Sequence, residues 1–308
     1  EECGWMYYTL SSEKPEDIEK AKILLSEGGK EFTMEPLPWG RINYTVWSDV
    51  FSCPECGGEI VFWDAAVEKE EGKVRSEFSC PHCGASLTKK RMERVIETKF
   101  DPAIGETVKQ AKQIPVLINY SIGKKRYEKK PDEFDLALIE YIEKSEIPYW
   151  YPTYIMPEGY NTEQPKISHG LTHVHHFYTK RNLWVLSALY TVVRKSNYPE
   201  AEYLLFTVEQ AVLGMSRVAR YVPTHYSQVN QYLSGTLYVG SQVVETTHLY
   251  ILSNKILRLK KLLLESLVQN AVAVSCQSSS SVISLSSATS DYIFTDPPFG
   301  GNLMYSEL

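Results

Sequence analysis

The chain has 308 residues, enough for about two domains, and 43% of its residues are hydrophobic, which supports real cores. Its formal net charge of −6 argues against a protein that coats nucleic acid, but not against an enzyme with local basic patches. No apolar run approaches the ~20 residues that span a bilayer, and no signal peptide opens the chain. We therefore expect a cytoplasmic protein without a membrane partner. Because Glu1 replaces an initiator Met, we expect a fragment or a processed chain.

Helices and strands are both predicted along the chain. Apolar residues at helical spacing predict helices over 13–27, 132–145, 180–195, 200–219 and 243–268. Runs of β-branched and aromatic residues predict strands over 41–51, 114–122, 271–276 and 291–295. Residues 148–168 are rich in Pro, Tyr and Gly and are expected to form an irregular loop.

Two near-identical cysteine pairs give the strongest local signal. Cys53-Pro-Glu-Cys56 and Cys80-Pro-His-Cys83 are each followed by Gly, and 23 residues separate them. Four thiolates at this spacing predict a closed tetrahedral site for structural Zn²⁺, as in a zinc ribbon. Disulfides or free thiols are the alternative, which the lack of secretory features disfavours. Cys3 and Cys276 stand alone and are expected to be ordinary packed thiols.

The segment from His169 to Leu183 is dense in polar side chains. His173 and His175 would share one face of a strand, but no carboxylate or cysteine nearby in the sequence completes a metal site. Histidines bonded to backbone or phosphate are the commoner outcome. Thr179 is a predicted helix cap, and Lys180 and Arg181 at that helix start are candidates to meet DNA phosphate. With them, His173 and His176 are candidate nucleic-acid ligands. The alternative is a surface helix with solvated charges.

The C-terminal strand prediction ends in Asp296-Pro297-Pro298-Phe299. Proline fixes φ and lacks an N–H, so the two prolines stiffen the turn and leave nearby carbonyls free to accept hydrogen bonds. A carboxylate, such carbonyls and an aromatic ring together suit the exocyclic amino group of a nucleobase. The alternative is a turn that merely ends a strand.

This tetrapeptide resembles the Asp/Asn/Ser-Pro-Pro-aromatic motif of the DNA amino-methyltransferases, which methylate adenine N6 or cytosine N4 with S-adenosylmethionine. The run that follows the motif to Leu308 resembles a subgroup with an inserted zinc ribbon, as does Phe177-Tyr178-Thr179-Lys180-Arg181-Asn182-Leu183. The resemblance implies that Asp296, Pro297, Pro298 and Phe299 are catalytic. It also implies an α/β fold, namely part of a Rossmann-like methyltransferase sheet. The family's Gly-rich cofactor loop is not found, so we expect it to precede Glu1 and this chain alone to be inactive.

The resemblance predicts a site-specific DNA methyltransferase fragment acting on double-stranded DNA, with other subunits of a restriction-modification or defence system as potential partners. The expected organisation is a connecting segment over 1–45, the zinc ribbon over 46–98, a target-recognition insertion over 99–178, a helical region over 179–270 and part of the methyltransferase core over 271–308. One alternative is a non-enzymatic zinc-ribbon module that binds nucleic acid. Another is methylation of RNA or of a protein glutamine amide.

Overall fold

The computed structural model describes residues 2–68, 73–196 and 201–266, with the side chains of 263–266 excepted. The described chain is a mixed α/β structure, which confirms the predicted class. The strands predicted at 271–276 and 291–295, Cys276 and the motif from Asp296 to Phe299 lie outside the described residues.

Most strands lie in the first half of the described chain and most helices in the second half. The helices are α1 (Pro15–Gly28), α2 (Phe62–Ala66), α3 (Glu133–Lys144), α4 (Tyr160–His169), α5 (Lys180–Lys195), α6 (Ala201–Val212) and α7 (His248–Ser266). The strands are β1 (Tyr8–Leu10), β2 (Trp39–Ser52), β3 (Glu59–Val61), β4 (Val67–Glu68), β5 (Lys73–Val74), β6 (Phe78–Ser79), β7 (Ser86–Leu87), β8 (Glu93–Arg94), β9 (Ile96–Asp101), β10 (Glu106–Ala111), β11 (Gln113–Ile122), β12 (Lys125–Lys129) and β13 (Gln242–Thr246).

Strand β2 organises the main sheet. Its 14 residues pair with β1, β11 and β13 along most of their length, and with β3 and β8 at the end that leads into the first cysteine pair. β11 continues into the hairpin partner β12. Every strand pair within the described residues is antiparallel, so this sheet differs from the parallel Rossmann-like sheet that the resemblance implies.

Local sequence signals predicted several elements correctly. α1 ends where expected, because Gly29 adopts a positive φ of 54° that other residues rarely tolerate. α3 begins at a capping box, in which the side chains of Asp132 and Asp135 each accept a hydrogen bond from the backbone N–H of the other. α1 begins after its predicted start at residue 13. Lys14 holds the N-cap position without a side-chain hydrogen bond, and Pro15 begins the helix with its fixed φ.

Two predictions of secondary structure are wrong because contacts with distant parts of the chain outweigh the local sequence pattern. The loop prediction over 148–168 missed α4, which carries Pro165 inside it and packs near β10. The helix prediction over 243–268 began too early. Residues 242–246 instead add to the edge of β2 as β13, and α7 starts at His248. The run Gln-Val-Val-Glu-Thr is rich in β-branched residues, which favour a strand. It forms one because the backbone of β2 is available to pair with it.

A buried ion pair clamps α5 to the sheet. The Arg181 guanidinium binds both carboxylate oxygens of Glu245 on β13, and it also donates to Thr45 Oγ1 at 2.8 Å and to the Met6 carbonyl at 3.2 Å. Only 4% of Arg181 is exposed. The expectation that Arg181 meets DNA phosphate is therefore corrected: the side chain points into the core, where each donor has a partner close by.

We predict that Glu245→Ala lowers the free energy of unfolding by about 3–5 kcal/mol, because it leaves the Arg181 charge buried without its partner. Denaturant unfolding followed by circular dichroism measures the loss. Glu140→Ala is the matched control, since it removes the carboxylate from an exposed pair with Lys144. An equal loss in the two variants would contradict this account of the clamp.

Candidate metal centre and basic groove

The four cysteines of the two knuckles converge on one point. Cys53 Sγ lies 3.9 Å from Cys83 Sγ, and Cys56 Sγ lies 3.8 Å from Cys80 Sγ. All four sulfurs lie within 4.8 Å of one another. Tetrahedral metal–sulfur bonds of about 2.3 Å would separate the sulfurs by about 3.8 Å. The four residues therefore fit a tetrahedral metal ion without rearrangement.

Each knuckle is shaped by the same backbone turn. Gly57 and Gly84 follow the pairs with positive φ values of 72° and 74°. Their N–H groups donate to the carbonyls of Cys53 and Cys80 at 2.9 and 3.0 Å. Glycine permits this left-handed turn, which aims both sulfurs of a pair at the same point. The repeated Cys-x-x-Cys-Gly pattern thus encodes the geometry locally.

A small core holds the two knuckles together. Cys53 and Cys80 are buried among apolar side chains, while Cys56 and Cys83 are exposed. The apolar members of this core are Phe51, Ile60, Phe62, Ala66, Phe78, Leu87 and Met92. His82 does not join the sulfurs, since its Nε2 lies 2.8 Å from the Glu59 carbonyl. With all four positions filled by thiolates, the arrangement suits a structural ion rather than a catalytic one.

Cys3 behaves as the sequence predicted. It lies in the main hydrophobic core, and burial raises the pKa of its thiol to about 11. A thiol held in its neutral form is a poor nucleophile. Cys3 is therefore a packing residue.

The predicted nucleic-acid ligands at 173–181 do not form one surface. His176 is buried against Asp101, with 2.8 Å between Nε2 and Oδ2. His173 is half-buried and shares a hydrogen bond of 2.9 Å with the Thr172 hydroxyl. Lys180 is half-buried and donates to the Glu143 carbonyl at 2.6 Å. The Thr179 side chain does cap α5, accepting from the Asn182 N–H at 3.4 Å. Of the four candidates, Lys180 and His173 alone retain partial exposure.

A basic groove lies elsewhere, between the sheet and α7. Its cavity volume is about 760 Å³. Four cations line it, namely Arg41 on β2, Arg126 on β12, and Lys255 and Arg258 on α7. The described residues of its lining include no Asp or Glu, although the whole chain carries a net charge of −6. Positive charge is thus concentrated in one concave surface, where it attracts a polyanion.

Two tyrosines form the aromatic part of the basic groove. The Arg126 guanidinium lies over the rings of Tyr226 and Tyr250, at 4.3 and 4.8 Å from their centroids. Its hydrogen-bond partners are neutral oxygens, the Tyr226 carbonyl and the Tyr250 hydroxyl. Tyr226 is 77% exposed. Cations that are held by neutral groups keep their charge available to a phosphate, and exposed rings offer a base a stacking surface.

A rigid loop presents Tyr226. Gln228 adopts a positive φ of 55°, which is rare for this residue type. Its side-chain amide donates hydrogen bonds to the carbonyls of Val222 and His225 and accepts one from the N–H of Val222. Strained backbone of this kind persists where the surroundings fix it, and it concentrates at binding sites. Arg126 and the cations of α7 lie far apart in the sequence, so neighbouring residues alone do not reveal the basic groove; the fold brings its cations together.

Comparisons with known proteins identify no relative: no protein-family model, curated protein or solved structure matches this chain. Within the described residues, every helix is too short or too polar to traverse a lipid bilayer.

We predict that Cys56→Ser weakens binding of a divalent metal and lowers the thiolate charge-transfer absorption, because one of the four sulfur ligands is lost. Co²⁺ is the probe, since thiolate binding produces an intense charge-transfer absorption that other ligands lack. Cys3→Ala is the matched control and should retain the full absorption, because Cys3 lies in the main core. Unchanged affinity and unchanged absorption in Cys56→Ser would show that the four sulfurs do not share an ion.

Proposed function

We propose that this chain is part of an S-adenosylmethionine-dependent DNA methyltransferase that modifies an exocyclic amino group of adenine or cytosine. The observation that carries the proposal is the sequence Asp296-Pro297-Pro298-Phe299 after a predicted strand at 291–295. This motif lies outside the described residues, so its support is chemical and comes from the residue types and their order. The Rossmann-like sheet and the cofactor site belong to the same proposal.

The motif has a defined task in the proposed reaction. Asp296 and the Pro297 carbonyl accept hydrogen bonds from the target amine, which increases the lone-pair character of its nitrogen. Phe299 stacks on the ring of the base, which must first leave the duplex because the amino nitrogen is out of reach inside it. S-adenosylmethionine supplies the methyl group when bound. No metal is required for this transfer.

The described residues have the proposed role of target recognition. Their antiparallel sheet is not the expected cofactor-binding sheet, which agrees with a region inserted between the cofactor loop and the catalytic motif. We propose Zn²⁺ as the ion of the four-cysteine site, because intracellular thiolate sites with this spacing select it. Zinc is then architectural: it fixes the fold of residues 53–92 at the end of β2.

The basic groove supports DNA as the polyanion. Its cations Arg41, Arg126, Lys255 and Arg258 match a phosphate backbone, and Tyr226 and Tyr250 match an unstacked base. The same groove favours the second candidate, a non-enzymatic module that binds nucleic acid. The two candidates agree on binding and differ on the role of Asp296.

We predict that Asp296→Ala in the full-length protein abolishes methyl transfer to DNA while DNA affinity changes little. The reason is that the carboxylate acts on the target amine, whereas phosphate contacts supply most of the affinity. Transfer of labelled methyl groups and a binding isotherm measure the two effects separately. A full-length protein that transfers no methyl group even with Asp296 intact would favour the non-enzymatic module.

We further predict that Arg258→Gln weakens DNA binding and lowers the slope of log affinity against log salt concentration by about 1, because one phosphate contact is lost. Arg258 is chosen because it is exposed and its loss leaves the core intact. Lys260→Gln is the matched control, being two residues further along α7, where helical geometry turns it away from the basic groove. Equal effects of the two substitutions would indicate that net charge, not the groove, governs binding.

A further inference from the structure

A second cluster of metal-ligating side chains lies apart from the cysteines. Asp101 Oδ2 is 2.7 Å from His175 Nε2 and 2.8 Å from His176 Nε2. The three ligand atoms lie within 4.8 Å of one another. Tetrahedral bonds of about 2.0–2.1 Å to one ion would place such atoms about 3.3 Å apart. A metal therefore needs the carboxylate oxygen and each imidazole nitrogen to separate by about half an ångström.

The carboxylate is oriented in advance. Asp101 ends β9, and its Oδ1 accepts the N–H of Ala103 at 3.0 Å. This bond leaves Oδ2 as the atom that faces both imidazoles. Ligating carboxylates and histidines in metal sites are commonly fixed in this way by outer hydrogen bonds.

The imidazoles are held by a short turn. His175 and His176 are neighbours in the 3₁₀ turn Val174–Phe177, and their ring centroids are 4.4 Å apart. The Thr172 N–H donates to His176 Nδ1 at 3.3 Å, and the Thr172 hydroxyl lies 3.4 Å from the same atom. Binding of a metal through Nε2 would move the ring proton to Nδ1, where this hydroxyl can accept it. His175 Nδ1 is buried and lacks a hydrogen-bond partner among the described residues.

The cluster opens onto a cavity. Asp101, His175 and His176 line a space of about 130 Å³ together with Tyr151, Lys99 and Arg217. That volume admits several water molecules. Three protein ligands would leave coordination positions open towards this space, unlike the closed four-cysteine site.

We propose that Asp101, His175 and His176 form a second metal centre, which binds a divalent first-row transition metal such as Zn²⁺ or Fe²⁺. Two imidazoles and one carboxylate are the ligand set of open transition-metal sites. Mg²⁺ and Ca²⁺ fit poorly, because they prefer several oxygen ligands and the cluster offers one carboxylate beside two imidazoles. Lys99 and Arg217 line the same cavity and oppose any cation by charge, so the imidazole nitrogens must supply most of the affinity.

Metal counting tests the proposal on the full chain. After removal of metals and titration with Co²⁺, the unsubstituted protein should bind two equivalents by elemental analysis. In Cys56→Ser, the thiolate-bound equivalent should bind more weakly and with less charge-transfer absorption, while the second equivalent is unchanged. His175→Ala should retain one equivalent with that absorption intact. Excess Mg²⁺ should displace neither ion.

His173→Ala is the matched control, since it removes an imidazole whose ring lies 5.0 Å from that of His176 but which does not face Asp101. This variant should still bind two equivalents. Binding of a single, thiolate-coordinated equivalent by the unsubstituted protein would overturn the proposal, whatever the folding of the variants. Displacement of the second ion by Mg²⁺ would overturn the assigned class of metal.

Discussion

The backbone hydrogen bonding of β2 is the constraint on which the rest of the structure depends. A 14-residue strand buried along most of its length must have both edges paired, since unpaired buried N–H and C=O groups are costly. The partners come from β1 near the N-terminus, from β3 and β8 beside the cysteines, from β11, and from β13 two hundred residues later. One strand therefore gathers distant parts of the chain. The ion pair between Arg181 and Glu245 then fixes α5 to β13, and Arg181 also donates a hydrogen bond to Thr45 of β2.

Features formed by residues that are close in the sequence could be predicted, whereas contacts between residues far apart in the sequence could not. The four cysteines were found because each pair and its glycine form one local turn, and both turns carry the same pattern. The burial of Arg181 was not found, because Glu245 is 64 positions away and a helix-start arginine looks solvent-facing from its neighbours alone. The partner of His175 was missed for the same reason: Asp101 is 74 positions away. The predicted catalytic motif and its Rossmann-like sheet lie outside the described residues and stay predictions.

The charge distribution explains how an acidic chain can hold a basic binding surface. Cations of the basic groove come from β2, β12 and α7, and their partners are tyrosines and carbonyls rather than carboxylates. In contrast, Arg94 and His169 lie beside the buried Asp49, and they hold the pKa of that carboxyl well below its ordinary value against the cost of its burial. The half-buried Arg94 and the buried Arg181 are thus paired with carboxylates, while the cations of the groove have neutral partners and remain available to an external anion.

The length of β2 sets the spacing between the two candidate sites. Arg41 of the groove and Cys53 of the metal centre lie near opposite ends of one extended segment, which at about 3.3 Å per residue spans roughly 40 Å. Neighbouring strands hydrogen-bond to this segment along most of its length, with two register irregularities in its pairing with β11. A single ligand that contacts both sites would therefore have to extend over about that distance.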